Sequence, residues 1–361
     1  MSNNVIILTG VTGQDGSHMV DFLLKETDYH IVGCFRRLSV PNHENISHQA
    51  DNPRLEKVYF DLTDPTSVNH VVKKYQPEYF INFAAQSYVG ASWDIPVATW
   101  NCTATGVLHI LEAIRTESPH TKFYNAGSSE EFGDVEYSPQ DEKHPLRPRS
   151  PYGAAKAAAR HLVKVYRDSY HLFAVQGWLF NHEGTRRGEE FVTRKITKSV
   201  AFMNKALREK RTPSPVHLGN LESKRDWGDS EDFVKAVWLM MQQEEPCDYV
   251  VASGETHSIR EFVELSLTAA GIPFDVIENT TLIRSGSILI FTGDRPAVAY
   301  TLKDDPEIPL VYVNPKYFRP AEIELLLGDP TRIEKELGWK REVSFEKLVD
   351  KMTQHDILAL G

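Results

Sequence analysis

The chain has 361 residues, more than one hydrophobic core usually holds, so two lobes are expected. An apolar share of 41% and a charged share of 25% are ordinary for a globular protein, and a net charge of −10 argues against a nucleic-acid backbone or an anionic membrane as main partner. No window approaches about 18 uninterrupted apolar residues, and MSNNVIILTG lacks the basic and apolar regions of a signal peptide. Cys34, Cys102 and Cys247 lie far apart without metal-ligand spacing, which fits plain thiols in a reducing cytoplasm and no metal site.

In chain order, 5–9 is a short apolar, β-branched run ended by Gly10, hence a buried strand. An amphipathic helix follows the glycines at 10, 13 and 16. Strands are expected at 30–35, 57–60, 79–85 and 122–126, with helices over 64–75 and 97–115 between them. Alternating strand and helix implies βαβ units and a doubly wound, Rossmann-like parallel sheet, apolar on both faces. A helix runs from Pro151 to about 170, and 173–180 is another strand. Beyond Asn181 the chain turns polar and basic. A helix reaches about 208, 229–243 is helical, 249–252 returns to the sheet as a strand, and 258–270 is a helix. The region 275–313 reads as irregular, and two amphipathic helices flank Trp339. The expected division is an α/β cofactor domain over 1–180, rejoined by 229–255. A smaller, mostly helical substrate lobe then comprises 181–228 and 256–361.

Two stretches carry chemistry. Gly10, Gly13 and Gly16 stand between a strand and a helix, where glycine lets the backbone turn tightly and approach a pyrophosphate at the helix N-terminus. Thr12, Gln14 and Asp15 belong to the same loop. The second strand ends in Arg36 and Arg37, and a guanidinium there fits a 2′-phosphate, so NADP is favoured over NAD. Asp61, next to Leu62, can accept from the adenine edge or cap a helix. Ala84, Ala85 and Gln86 end the fourth strand with small residues where a dinucleotide would cross the sheet edge. In the second stretch, Ser128 and Glu130 follow the apolar run KFYNA, and RSPYGAAK opens a helix with Tyr152 and Lys156 on one face. An ammonium beside a phenol stabilises the phenolate relative to its usual pKa of about 10. A hydroxyl, a carboxylate and a Tyr–Lys pair together make a proton-transfer site.

The segments TGVTGQDGSH, FRR, FDLTD, NFAAQSYV, RSPYGAAK, FNHEGTRRG, FVTRKI, KRDWG and YFRPAEIE together resemble the GDP-mannose 4,6-dehydratase family of extended short-chain dehydrogenases/reductases, from about residue 5 to 355. The resemblance implies oxidation at C4 of the hexose with bound NADP, loss of water across C5 and C6, and hydride return to C6. GDP-4-keto-6-deoxymannose, a precursor of GDP-fucose or GDP-rhamnose, would result. It assigns the O4 proton to Tyr152 with Lys156, O4 positioning to Ser128 and C5 proton abstraction to Glu130. An epimerase or reductase of this superfamily does not need that carboxylate. The family's Ser-Thr-Ser-Glu-Leu-Tyr-Gly reads Gly-Ser-Ser-Glu-Glu-Phe-Gly here, so Glu131 competes with Glu130 as the base, and alignment favours Glu130. His182 and Arg187 are expected at the cofactor. Ser87, Asn181, Val192, Lys195, Leu218, Gly219, Arg225, Arg319 and Glu322 are expected at the GDP-sugar, with arginine forks on the diphosphate. The divergent segment 278–309 leaves a related sugar such as GDP-manno-heptose as the alternative substrate, a GDP-sugar epimerase or reductase is the further alternative, and a homotetramer, in which the 36–39 loop reaches a neighbour's cofactor, or a dimer is implied.

Overall fold

A computed structural model describes residues 4–277, 282–285, 288–291, 296–318 and 326–361. The chain divides into two compact units. The first comprises Met1–His182, Asp229–Gly254 and Leu327–Glu342; the second comprises Glu183–Gly228, Glu255–Leu326 and Val343–Gly361.

The first unit is built on a parallel sheet. Its elements are β1 (Val5–Thr9), α1 (Gln14–Glu26), β2 (His30–Phe35), β3 (Leu55–Tyr59), α2 (Pro65–Tyr75), β4 (Tyr79–Asn82), α3 (Pro96–Trp100), α4 (Gly106–Glu117), β5 (Lys122–Ala126), α5 (Pro151–Tyr170) and β6 (Ala174–Leu179). The strand order is Val250–Val251, β6, β5, β4, β1, β2, β3, so Val250–Val251 returns to the sheet as expected and the order reverses between β1 and β4. Successive strand residues point to opposite faces. Ile6, Leu8, Ile31, Ile81 and Tyr124 therefore pack against Met19 and Leu23 of α1, with Phe233 and Val237. Ile7, Val32, Phe80 and Phe123 pack on the other face against Val68 and Val72 of α2, Ile110 of α4 and Val163 of α5. Strand β3, expected to be apolar on both sides, is the edge strand. Its sequence LEKVY alternates: Leu55 is buried and Tyr59 is 66% exposed.

Local chemistry sets the helix ends. Asp64 accepts from Thr66 N at 2.9 Å and Pro65 opens α2. At α5, Ser150 Oγ accepts from Gly153 N at 3.0 Å, Pro151 takes the first helical position, and His171 closes the helix at φ 56°. The helix expected over 97–115 is interrupted by a π turn, Asn101–Thr105, between α3 and α4. Just beyond it Gly106 lets the chain pass Leu62, where a Cβ would come within 2.8 Å of the Leu62 Cβ. Strand β4 stops at Asn82 rather than 85, and Ala84 N donates instead to Thr9 Oγ1 at 3.3 Å.

Residues 327–342, expected in the second lobe with the rest of the tail, belong to the first unit. Trp339 draws them in: its ring is buried edge-on to Phe233 and its Nε1 donates to Asp232 O at 2.9 Å.

In the second unit, helices Val192–Arg208, Ile259–Ala269 and Phe345–Leu360 share a core with a four-stranded sheet of Phe274–Val276, Ala297–Leu302, Asp305–Val313 and Val216–Leu218. The region 275–313, expected to be irregular, therefore carries much of this sheet. Its prolines do not prevent pairing, because Pro309 sits opposite Thr301 where the register shifts and the ladder is already broken. Among the described residues no helix is long and apolar enough to cross a membrane, and no His, Cys, Asp and Glu cluster is placed to hold a metal ion.

Candidate active site

The strand order reverses between β1 and β4, and open α/β sheets bind ligands beyond the C-terminal ends of the strands at such a switch point. The loop after β1 is a backbone cradle. Gly10 has φ +70°, and a Cβ on it would meet Ala84 N at 2.9 Å. A Cβ on Gly16 would lie 2.2 Å from Gly10 O, so only glycine lets α1 start this close to the turn. Gly13 caps α1 without a side chain, so no N-cap side chain occupies the N–H groups of the first turn. Thr12 O is held by Asn45 Nδ2 at 3.0 Å. Together these features fit a dinucleotide pyrophosphate. Asp15 and Gln14 brace the same turn: Gln14 Nε2 donates to His182 O at 3.0 Å, and His182 Nε2 is 3.0 Å from Asp15 Oδ2. His182 also stacks on Phe233, so its ring supports the start of α1.

Arg36 is exposed at the end of β2, as a 2′-phosphate ligand requires. Asp61 Oδ1 accepts from Thr63 N and Thr63 Oγ1 at 2.9 and 2.7 Å, and the N-cap of α2 is Asp64 instead. Leu62 is buried, and its carbonyl faces His109 Nδ1 at 2.8 Å. Ala84, Ala85 and Gln86 follow β4 beside the glycine turn, and Ser87 after them is exposed.

The residues expected to transfer protons lie just after β5 and in the first turns of α5. Ser128 follows β5 and caps the single 3-10 turn Ser129–Glu131, its Oγ accepting from Glu130 N at 3.2 Å. Tyr152 and Lys156 are both buried on α5. Lys156 Nζ donates to Ala126 O at 2.6 Å and lies 5.8 Å from the centre of the Tyr152 ring. Burial pushes the Lys156 ammonium down to about 8, against an upward pull from Glu131. Gly153 lets the first turn of α5 meet the serine turn: a Cβ there would come within 2.6 Å of Glu130 O.

The two adjacent carboxylates have different surroundings. Glu131 is fully buried and accepts from Ser128 N at 2.8 Å, Gln176 Nε2 at 3.1 Å and Arg160 Nε at 2.5 Å. Both its oxygens are occupied. Glu130 is only partly buried. Behind this turn runs a buried polar ladder that the sequence reading missed. Thr9 Oγ1 donates to Asn82 Oδ1 at 2.5 Å, Asn82 to Asn125 at 2.7 Å, and Asn125 to Gln176 at 2.6 Å. The visible signal was a polar residue at the same level of several apolar strands, and for Arg160 its place four residues after Lys156.

In the second unit Lys195 Nζ donates to His217 O at 2.6 Å and sits 3.9 Å from the centre of the Tyr317 ring, and burial lowers its pKa. Val192 opens the same helix after Phe191. Leu218 is buried, and Gly219 admits Tyr317 O, which a Cβ would meet at 2.6 Å. Arg187 pairs with buried Glu183 at 3.0 Å and stacks over Phe191. Arg225 lies on the short strand Lys224–Arg225, paired with His257–Ser258. Asn181 is partly buried just after β6. Arg319 and Glu322 lie outside the described residues.

Comparison with known proteins agrees with this geometry. The family model described as GDP-mannose 4,6 dehydratase matches residues 7–352. The chain is 42% identical to GDP-mannose 4,6 dehydratase of Drosophila melanogaster, over 98% of this chain and 86% of that one. It is 40% identical to the enzyme of the same name from Homo sapiens, over 98% and 91%. Among solved structures, UDP-glucose 4-epimerase of Thermus thermophilus in complex with NAD superimposes with a TM-score of 0.76 at 25% identity, covering 98% of each chain. A dTDP-glucose 4,6-dehydratase from Streptomyces venezuelae shares the fold, with a TM-score of 0.77 at 19% identity over 97% of this chain and 96% of that one. With a family model spanning nearly its whole length and full-length relatives at this identity, the chain belongs to the GDP-mannose 4,6-dehydratase family.

Proposed function

We infer that the protein is a hydro-lyase converting GDP-D-mannose into GDP-4-keto-6-deoxy-D-mannose and water. The observation that carries this reading is the partly buried Glu130, held in the serine turn against the start of the Tyr152–Lys156 helix while Glu131 is wholly engaged elsewhere. Oxidation or epimerisation at C4 requires only the serine, tyrosine and lysine; elimination requires a further base.

NADP, when bound, supplies the hydride acceptor for C4 and the hydride donor for C6, so the reaction has no net redox change. The cradle of Gly10, Thr12, Gly13, Gln14, Asp15 and Gly16 holds its pyrophosphate, with Arg36 on the 2′-phosphate. Asp61, Leu62, Ala84, Ala85, Gln86, His182 and Arg187 complete its surroundings. Tyr152 takes the O4 proton. The Lys156 cation, buried beside it, favours the phenolate. Ser128 holds O4. The ketone at C4 acidifies the C5 proton, Glu130 removes it, and the hydroxyl at C6 leaves as water with a proton returned by the same carboxyl group. Once C6 is reduced, a solvent-exchanged proton equivalent to the one taken by Tyr152 is added at C5. A placed acid or base contributes roughly 10²–10⁴ in rate. Lys195, Arg225 and Arg319 neutralise the diphosphate, and Ser87, Asn181, Val192, Leu218, Gly219 and Glu322 surround the nucleotide sugar.

The assembly we propose is a homotetramer. Exposed apolar side chains on the loop after β2, Leu38 and Val40, support its packing against a neighbour. The free cysteines support a cytoplasmic setting.

Incubation with GDP-mannose in D₂O tests the reading. The wild-type product carries one solvent deuterium at C5, and Glu130→Gln lowers kcat by roughly 10²–10⁴. A product without that deuterium, or no 4-keto product, overturns it.

A further inference from the structure

Glu131 and Arg160 form a buried ion pair that the proton-transfer steps do not use. Arg160 stands four residues beyond Lys156 and eight beyond Tyr152, so all three occupy one face of α5. Its guanidinium is fully engaged in directional contacts. Nε meets Glu131 Oε2 at 2.5 Å, one terminal nitrogen donates to Gln176 O at 2.7 Å, and the other to Gly177 O at 3.2 Å. The Trp178 ring lies 3.4 Å beneath the guanidinium. Glu131 reaches back to Ser128 N at 2.8 Å, completing a capping box with the serine. Gln176 ties the pair to the lysine, since its Nε2 donates to Glu131 Oε1 at 3.1 Å and to Lys156 O at 3.2 Å. Glycine clears the space: a Cβ on Gly127 would fall 2.1 Å from Gly177 O and 2.7 Å from both Arg160 and Glu131.

Stability does not explain such a pair, because a buried ion pair is often no more stable than apolar residues of the same volume. What apolar residues lack is direction. We propose that Glu131 and Arg160 are positioning residues whose pair locks the serine turn 128–130 to the Tyr152–Lys156 helix and so sets the distances for proton transfer. The proposal rests on the dehydratase reading. The pair also acts electrostatically. Lys156 is faced by Tyr152 and Arg160 from its own helix, Glu131 from the serine turn, Cys102 from the π turn and Asp15 from α1. Glu131 is the largest influence favouring its protonated form.

The test uses the NADP-loaded enzyme and three variants. In E131L/R160L both charges are replaced together, and Asp248, 3.6 Å from Arg160, keeps its pair with Arg167 at 2.9 Å, so no unpaired charge is left in the core. The expected result is a folded protein whose melting temperature drops, since Ser128 N, Gln176 O and Gly177 O lose their partners, with kcat for GDP-mannose lowered about 10²-fold and KM little changed, as for a misplacement near 1 Å. R160K keeps the charge but loses the fork; kcat is expected to fall about tenfold with KM steady, since lysine cannot hold Glu131 and the two carbonyls at once. Either variant retaining wild-type kcat overturns the proposal. Should E131L/R160L fail to fold, R160K decides. In ¹⁵N-lysine NMR of the cofactor-free protein, Lys156 titrates lower in E131Q than in wild type, and an unchanged titration overturns the electrostatic part. Absence of 4-keto product from the wild-type enzyme refutes the dehydratase reading instead, while the NMR titration still tests the pair.

Discussion

Replacing Lys156 with methionine removes a buried charge while keeping an unbranched side chain of similar length. Burial holds the ammonium at about 8, against the usual 10.5. That difference costs the folded state about 3 kcal/mol, at about 1.4 kcal/mol per pH unit. Below about pH 8 the lysine is charged in both folded and unfolded chains, and the cost is present in full. Between 8 and 10.5 the folded chain has released a proton that the unfolded chain still binds, so wild-type stability rises with pH. Above 10.5 the lysine is neutral in both states and the cost is gone. Against this gain, the variant deprives Ala126 O of its donor, which costs about 1 kcal/mol. Lys156→Met is therefore expected to be more stable than wild type by about 2 kcal/mol at pH 7, and the advantage should vanish by pH 10.5. Turnover should fall by roughly 10² or more, because Tyr152 loses its neighbouring cation. Urea unfolding of both cofactor-free proteins at pH 7 and pH 10, with kcat at pH 7, measures this. A variant less stable at pH 7, or a stability difference independent of pH, refutes the reasoning.

Three further substitutions probe the expected cofactor residues. Gly16→Ala drives a Cβ to 2.2 Å from Gly10 O, a backbone atom that cannot swing aside. The strain is expected to cost about 1–3 kcal/mol and to lower both Tm and NADP affinity by calorimetry. Gly13→Ala, whose Cβ comes no nearer than 3.3 Å to Gly10 O, should keep the fold. Arg36→Ala should weaken NADP by about ten- to a hundredfold while leaving NAD nearly unchanged, because only the 2′-phosphate contact is lost; equal loss for both cofactors in a direct titration contradicts that role.

Much of the first unit is legible in the chain because its signals are local. The strands at 5–9 and 30–35 and the helix opened by Ser150 and Pro151 are apolar runs and caps that need no distant partner to be recognised. The glycines at 10, 13 and 16 and the pair Tyr152 and Lys156 are equally local, since spacing alone puts them in one turn or on one helix face. Sequence patterns were weaker where pairing is long-range. The region 275–313 looks irregular because its prolines interrupt the alternation, yet Asp305–Val313 pairs with Ala297–Leu302 on one side and with Val216–Leu218, nearly a hundred positions earlier, on the other. Trp339 stands out in the sequence between two helices, but its burial on Phe233 depends on a partner more than a hundred residues away.

The adjacent residues Glu130 and Glu131 mark the boundary most clearly. The sequence by itself determined that a hydroxyl, two carboxylates, a phenol and an ammonium would meet near a dinucleotide loop, because each lies in a local motif. It left two neighbouring carboxylates as rival bases, since residues one apart carry the same charge and nearly the same propensity. Only tertiary structure gives them different surroundings. The 3-10 turn points Glu131 into the interior, where Arg160 and Gln176, 29 and 45 residues further on, occupy both its oxygens, while Glu130 is only partly buried.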